Sequence, residues 1–138
     1  MDYFNWRDEL SVHNELIDHD HHTLIDMVNE LHRAVEMGNG YLILSDILNR
    51  LVVYTNEHFQ REEELMLSID YSEYNSHKEQ HKKLLARVAD LQHELNRDRV
   101  QIALDTAELL RFWLTSHILS SDKRLADNIR ASSVNSTV

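Results

Sequence analysis

The chain has no proline and only two glycines, Gly38 and Gly40, in 138 residues. Proline breaks helix interiors because it lacks an amide hydrogen and its ring clashes with the preceding turn, while glycine supplies the conformations that many tight turns need. A chain so poor in both has few places to reverse direction and is suited to long, uninterrupted helices. The expected fold class is all-α.

Apolar periodicity divides the chain into four such helices. From Asp18 onward, His21, Leu24, Ile25, Val28, Leu31 and Val35 recur at three- and four-residue steps, and the pattern stops at Gly38-Asn39-Gly40, a helix-ending signal. A second helix starts near Tyr41 and carries Leu44, Ile47, Leu48, Leu51, Thr55, His58, Phe59, Glu62, Leu65 and Met66 on one stripe. After a polar break at Ser68 to Ser72, a third carries His77, His81, Leu84, Val88, Leu91 and Leu95 and ends at Asn96-Arg97-Asp98. The fourth aligns Ala103, Ala107, Leu110, Leu114, His117 and Ile118 and becomes less regular at Ser120-Ser121, where two serines weaken it. Short connections place neighbours antiparallel, giving an up-down-up-down four-helix bundle. Residues 1–17 form an N-terminal arm packed on it, 18–130 the bundle, and 131–138 (ASSVNSTV) a flexible tail, all within one domain, 1–138.

Several functions are excluded early. Without cysteine there are no disulfides, iron–sulfur clusters or thiolate zinc sites, so only His, Asp and Glu remain as strong metal ligands. A net charge of −10, from 24 acidic and 14 basic residues, repels phosphate backbones and anionic lipid, so nucleic acid is not an expected partner. No apolar run approaches the roughly 20 residues of a membrane span. The opening MDYFNWRDEL lacks the basic-then-apolar pattern of a secretory signal, and a cytoplasmic location is expected.

The chemistry lies in where the polar residues fall. His58 and Glu62 are four apart and share a helix face, as do His77 and His81. One such pair reads most simply as a solvated face. Here, however, the groups lie on stripes otherwise made of Leu, Val, Ile and Phe, and burying them unpartnered would cost on the order of a few kcal/mol each. A metal ion offsets that cost. The first helix adds His21, and the fourth adds His117 with Asp122 five residues later, beyond ideal same-face spacing unless the weakened helix at Ser120-Ser121 lets it swing back. Five imidazoles and two carboxylates exceed the four ligands usual for one zinc and suit two five- or six-coordinate iron ions sharing carboxylates.

The segments Ile17-Asp18-His19-Asp20-His21, His58-Phe59-Gln60-Arg61-Glu62-Glu63, Met66, His77-Lys78-Glu79-Gln80-His81 and Trp113 through Asp122 resemble those of bacterial hemerythrins in order and spacing. The likeness runs from the aromatic-rich arm with Trp6 to about Leu125. It implies a hemerythrin-like domain that binds dioxygen reversibly at a non-haem, carboxylate-bridged di-iron centre, for oxygen storage, delivery or sensing, rather than an enzyme. By that resemblance His77, His81 and His117 would saturate one iron, and His21 and His58 would hold the other with a position left open. Glu62 and Asp122 would bridge the two ions (Fe2+/Fe3+), together with an oxo or hydroxo group. Leu114 and Ile118 would line the oxygen pocket, with Trp113 placed to pack beside the centre. A protein partner to which such a domain reports or delivers is left unidentified.

His13, His19, His22, His32 and His93 match no ligand position. Asp20 stands where the family usually has Gln, and Ser72 replaces a frequent proline; Asp20 bears on oxygen affinity and autoxidation rather than on ligation. A zinc hydrolase would need His-Glu-x-x-His and a ferritin-like oxidase paired Glu-x-x-His motifs, and neither occurs. The alternative is a di-iron enzyme reducing peroxide or nitric oxide, but no evident general acid lies beyond the ligands, so binding is favoured.

Overall fold

The computed structural model describes residues 2–93 and 98–136. They form a 3-10 turn, Asp8–Leu10, and helices α1 (Glu15–Glu36), α2 (Tyr41–Ser68), α3 (Tyr74–His93), α4 (Arg99–His117) and α5 (Lys123–Ser136), with a π-helical turn at Ile118–Asp122 joining the last two. His117, Ile118 and Lys123 keep right-handed helical dihedrals, so α4, the π turn and α5 make one continuous rod, the fourth of an all-α four-helix bundle. The expected end of the third helix at Leu95 and Asn96-Arg97 lies outside the described residues.

Each helix end has a local cause. Asn14 caps α1 by accepting from the Ile17 amide at 3.1 Å, which starts the helix three residues before Asp18. Asp18 instead turns its carboxylate to the Ser11 hydroxyl (2.7 Å) and the Val12 amide (2.9 Å), tying the arm to the first turn. At the far end Gly38 takes φ of 72°, and the amides of Gly38 and Asn39 donate to Val35 and Ala34 in a Schellman closure. The same closure ends α2, with Asp70 at φ 54° in the left-handed position and Tyr71 packed on Met66. Asp98 caps α4 through the Gln101 amide.

The arm is bound, not loose. Phe4, Leu10 and Val12 are buried, and the Asn29 amide side chain holds the Phe4 backbone at 2.8 Å in both directions. Trp6 stacks on His22 and Tyr3 on His32. Helical structure extends through Ser136, across most of the segment expected as a tail; Leu125 and Ala126 are buried in its first turns, and Arg130 donates to the Val12 carbonyl.

α1 packs on α2 and α4, and α2 on α3, around Leu24, Val28, Leu31, Leu44, Leu51, Leu84, Ala107 and Leu110. Alternating helix direction has a consequence for the polar residues of this core. The start of α1 (His21), the end of α2 (His58, Glu62), the start of α3 (His77, His81) and the end of α4 with its π turn (His117, Asp122) all fall at one end of the bundle.

Candidate metal centre

All seven of these side chains are at most 4% exposed, and they converge on one another across four helices. His77 Nε2 and His81 Nε2 lie 3.1 and 3.3 Å from His117 Nε2. Glu62 Oε1 is 3.2 Å from His77 Nε2 and 3.1 Å from His81 Nε2, while Asp122 Oδ1 is 3.1 Å from both His77 Nε2 and His117 Nε2. A first-row cation with bonds of about 2.1 Å holds neighbouring octahedral donors about 3 Å apart. These five atoms have the spacing of five octahedral corners.

The opposite carboxylate oxygens face a second group. Asp122 Oδ2 is 3.0 Å from His21 Nε2, and Glu62 Oε2 is 3.2 Å from His58 Nε2 and 3.8 Å from His21 Nε2. Among the described residues the potential metal-holding sets are these two, five donors in one and four in the other, with Glu62 and Asp122 common to both. Each shared carboxylate therefore turns one oxygen to each set.

The position of Asp122 depends on the π turn. In an α-helix a residue five positions beyond His117 is rotated by about 140° from it. At Ile118–Asp122 the ladder widens, with the Lys123 amide reaching the Ile118 carbonyl five residues back, so one extra residue is absorbed in the turn and Asp122 returns to the face of His117. Exposed Ser120 occupies the outside of that turn, while Ser121 points inward and donates to Gln80 Oε1 at 2.8 Å.

Both nitrogens of His21, Oε2 of Glu62 and both oxygens of Asp122 are fully buried without a hydrogen-bond partner. Orphaned buried groups of this kind are costly unless a cation or proton meets them. Burial by itself would lower the His58 and His77 pKa values, but the carboxylates outweigh it: Glu62, Asp20 and Asp122 push His58 up to about 10, and Asp122 and Glu62 push His77 up to about 9. Burial would raise Glu62 and Asp122, yet the surrounding imidazoles hold both below the ordinary carboxylate range. Without a cation the cluster holds positive charge as protons on imidazole. The donor set fits a pair of metal ions of mixed nitrogen and oxygen preference.

Contacts behind the donors orient them. His58 Nδ1 meets Asp20 at 2.9 Å, His81 Nδ1 meets Glu63 at 3.0 Å, and His117 Nδ1 meets Gln80 at 2.9 Å. Phe59 stacks on His81 with ring centroids 3.8 Å apart, and Trp113 on His117 at 4.2 Å. Leu114 and Ile118, three positions before and one after His117, are buried. Glu63, Gln80, Arg61, Tyr54 and Ser121 carry no signal in the spacing of apolar residues, whereas Asp20 is marked by its departure from the usual Gln. None of His13, His19, His22, His32 and His93 joins either set among the described residues.

Residues 12–129 match the Hemerythrin HHE cation binding domain. The bacteriohemerythrin of Pseudomonas aeruginosa (strain LESB58) is 32% identical over 136 residues, covering 96% of this chain and 85% of that protein. That of Methylococcus capsulatus (strain Bath) is 37% identical over 106 residues, covering 77% of this chain and 80% of that protein. The crystal structure of a wild-type hemerythrin, 31% identical, superposes with a TM-score of 0.84 over 92% of this chain and 98% of that one. No described helix is long and apolar enough to cross a membrane.

Proposed function

The chain belongs to the hemerythrin family, and from that premise we propose that it binds dioxygen reversibly at two non-haem iron ions, in oxygen storage, delivery or sensing. His77, His81 and His117, with one oxygen each from Glu62 and Asp122, would hold the first iron. His21 and His58, with the other oxygen of each carboxylate, would hold the second, and an oxo or hydroxo group would join the pair. Iron held there in the ferrous state would supply the redox chemistry that dioxygen binding needs.

The observation that supports this most directly is the inequality of the two donor sets, five against four. The side faced by His21 and His58 has one protein donor fewer, and a small ligand would bind there. The two carboxylates bring negative charge to balance the cations without leaving an unpaired anion in the core. Leu114 at 2% exposure and Ile118 at 0%, three positions before and one after His117, would keep water from the centre. A dry surrounding would protect the centre from side reactions with solvent. Trp113 and Phe59, stacked on two ligand imidazoles, fix ring planes on the five-donor side.

The test is gas cycling. The iron-loaded protein is reduced without air, oxygen is admitted, and the visible spectrum is followed while oxygen is removed and returned. A coloured adduct that fades on deoxygenation and reappears over repeated cycles is expected. Irreversible oxidation on first exposure, or sustained turnover of peroxide or nitric oxide in place of a stable adduct, overturns the proposal.

A further inference from the structure

Asp20 is 3% exposed and directly precedes His21 on α1, yet it belongs to neither donor set. Its Oδ2 lies 2.9 Å from His58 Nδ1 and accepts from Arg61 Nε at 2.8 Å; its Oδ1 accepts from Arg61 Nη2 at 2.9 Å and from the Tyr54 hydroxyl at 2.7 Å. Four such bonds saturate a carboxylate, which offers about four lone-pair sites. Asp20 is thus fixed from three sides, and the bidentate Arg61 contact sets its plane as well as its place.

On the other side of the same ring, His58 Nε2 faces Glu62 Oε2 at 3.2 Å. An imidazole whose Nδ1 meets an acceptor-only carboxylate keeps its hydrogen there and leaves Nε2 as the free lone pair directed at the centre. The partner imidazole of this half has no such support, since His21 Nδ1 meets no hydrogen-bond partner among the described residues. One short stretch of α1 therefore provides a donor, His21, and the clamp for its neighbour on α2.

Resting on the di-iron reading above, we infer that Asp20 is a positioning residue for the four-donor half of the centre: it locks the orientation and tautomer of His58, and its charge, partly offset by Arg61, tunes the metal that His58 holds. Removing a support of this kind costs about 10- to 100-fold in metal affinity. The charge contribution separates from the geometric one by sign. A negative charge behind a ligand favours the ferric ion, and the positive charge behind that opposes it.

The chain of 138 residues and its variants D20A, D20N and R61Q are loaded with Zn(II) for affinity and histidine 15N spectra, and with iron for reduction potentials. D20N and R61Q keep hydrogen-bonding groups while each removes one charge. In D20A, affinity for one of two zinc ions is expected to fall about 10- to 100-fold while the other stays unchanged, with loss of the exchange-protected His58 Nδ1 hydrogen. D20N keeps that hydrogen and both metals and shifts the potential of one iron to a more positive value, and R61Q shifts it to a more negative one. The opposite signs are a readout that loss of folding or packing does not produce, and they decide the matter even where D20A does not fold. Wild-type affinity at both sites in D20A with the His58 hydrogen still protected, or shifts of the same sign in D20N and R61Q, overturns the inference alone. A wild-type chain that binds no metal overturns the ligand reading and this inference with it.

Discussion

Glu62 and Asp122 each face both sets of imidazoles, so each carries more of the centre than any single histidine does. Replacing Glu62 by Ala is expected to lower bound iron from two per chain toward one or none, while His58→Ala spares the five-donor site; metal analysis checks both, and normal iron content in both variants contradicts the register. The same residues set a pH dependence. In the metal-free protein His58 and His77 have pKa values raised from 6.5 to about 10 and about 9. Their contribution to metal-free stability is then fully present below about pH 6.5 and is lost as pH rises through about 9 to 10. Metal binding needs neutral imidazoles, so loading at pH 7 is expected to release the protons carried by His58 and His77, and acid to expel the metal. Calorimetric titration in buffers of different ionisation enthalpy measures the count, and metal uptake without proton release contradicts it. At this scale the sequence is informative where a polar side chain of the buried cluster interrupts an apolar stripe: His21, His58, Glu62, His77, His81 and His117 each do. Glu63, Gln80, Arg61 and Tyr54 lie beside the stripes and act through partners 18 or more positions away, a pairing that periodicity does not encode.

Among the elements, the π turn shows where reading by α-helical period fails. A serine pair lowers helix propensity, which makes Ser120-Ser121 visible as a weak point, but propensity does not distinguish a break from a widened turn. The widened turn keeps the helix unbroken and still gives Asp122 to the site. Deleting exposed Ser120 is expected to restore an ordinary α turn with His117 and the carboxylate four apart, on one face, retaining two metals. Inserting an alanine between Ser120 and Ser121 separates them by six and is expected to lose the bridging carboxylate and at least one metal. Equal metal content in the two variants counts against the turn as the cause. The end of α2 allows a simpler check. Asp70 holds a left-handed conformation that costs an L-residue about 1–2 kcal/mol, against about 0.5–1 kcal/mol of extra chain entropy for glycine, so Asp70→Gly is expected to stabilise the protein by about 0.5–1 kcal/mol in denaturant unfolding.

For the whole molecule, the bundle and its antiparallel order follow from long helices, scarce turn residues and short connections, and that order gathers the buried histidines and carboxylates of four separate segments at one end. The arm is less legible. Trp6 and Phe4 mark it as apolar, but its attachment depends on Asn29 meeting the Phe4 backbone and on two aromatic–histidine stacks, contacts that exist only once α1 is formed. The helical reach of α5 was also hidden, because Ala, Ser and Asn near a terminus suit a frayed end as well as a last turn. Metal held by the buried cluster would couple binding to folding, so loading is expected to raise the melting temperature, with a stabilisation that grows as the logarithm of free metal over its dissociation constant. The most direct test of the di-iron centre is an anaerobic titration of the metal-free chain with Fe(II), followed by its absorbance and by the iron retained after desalting. Two irons per chain are expected, with saturation at that ratio; saturation at one iron, or retention of none, would contradict a centre built on shared Glu62 and Asp122.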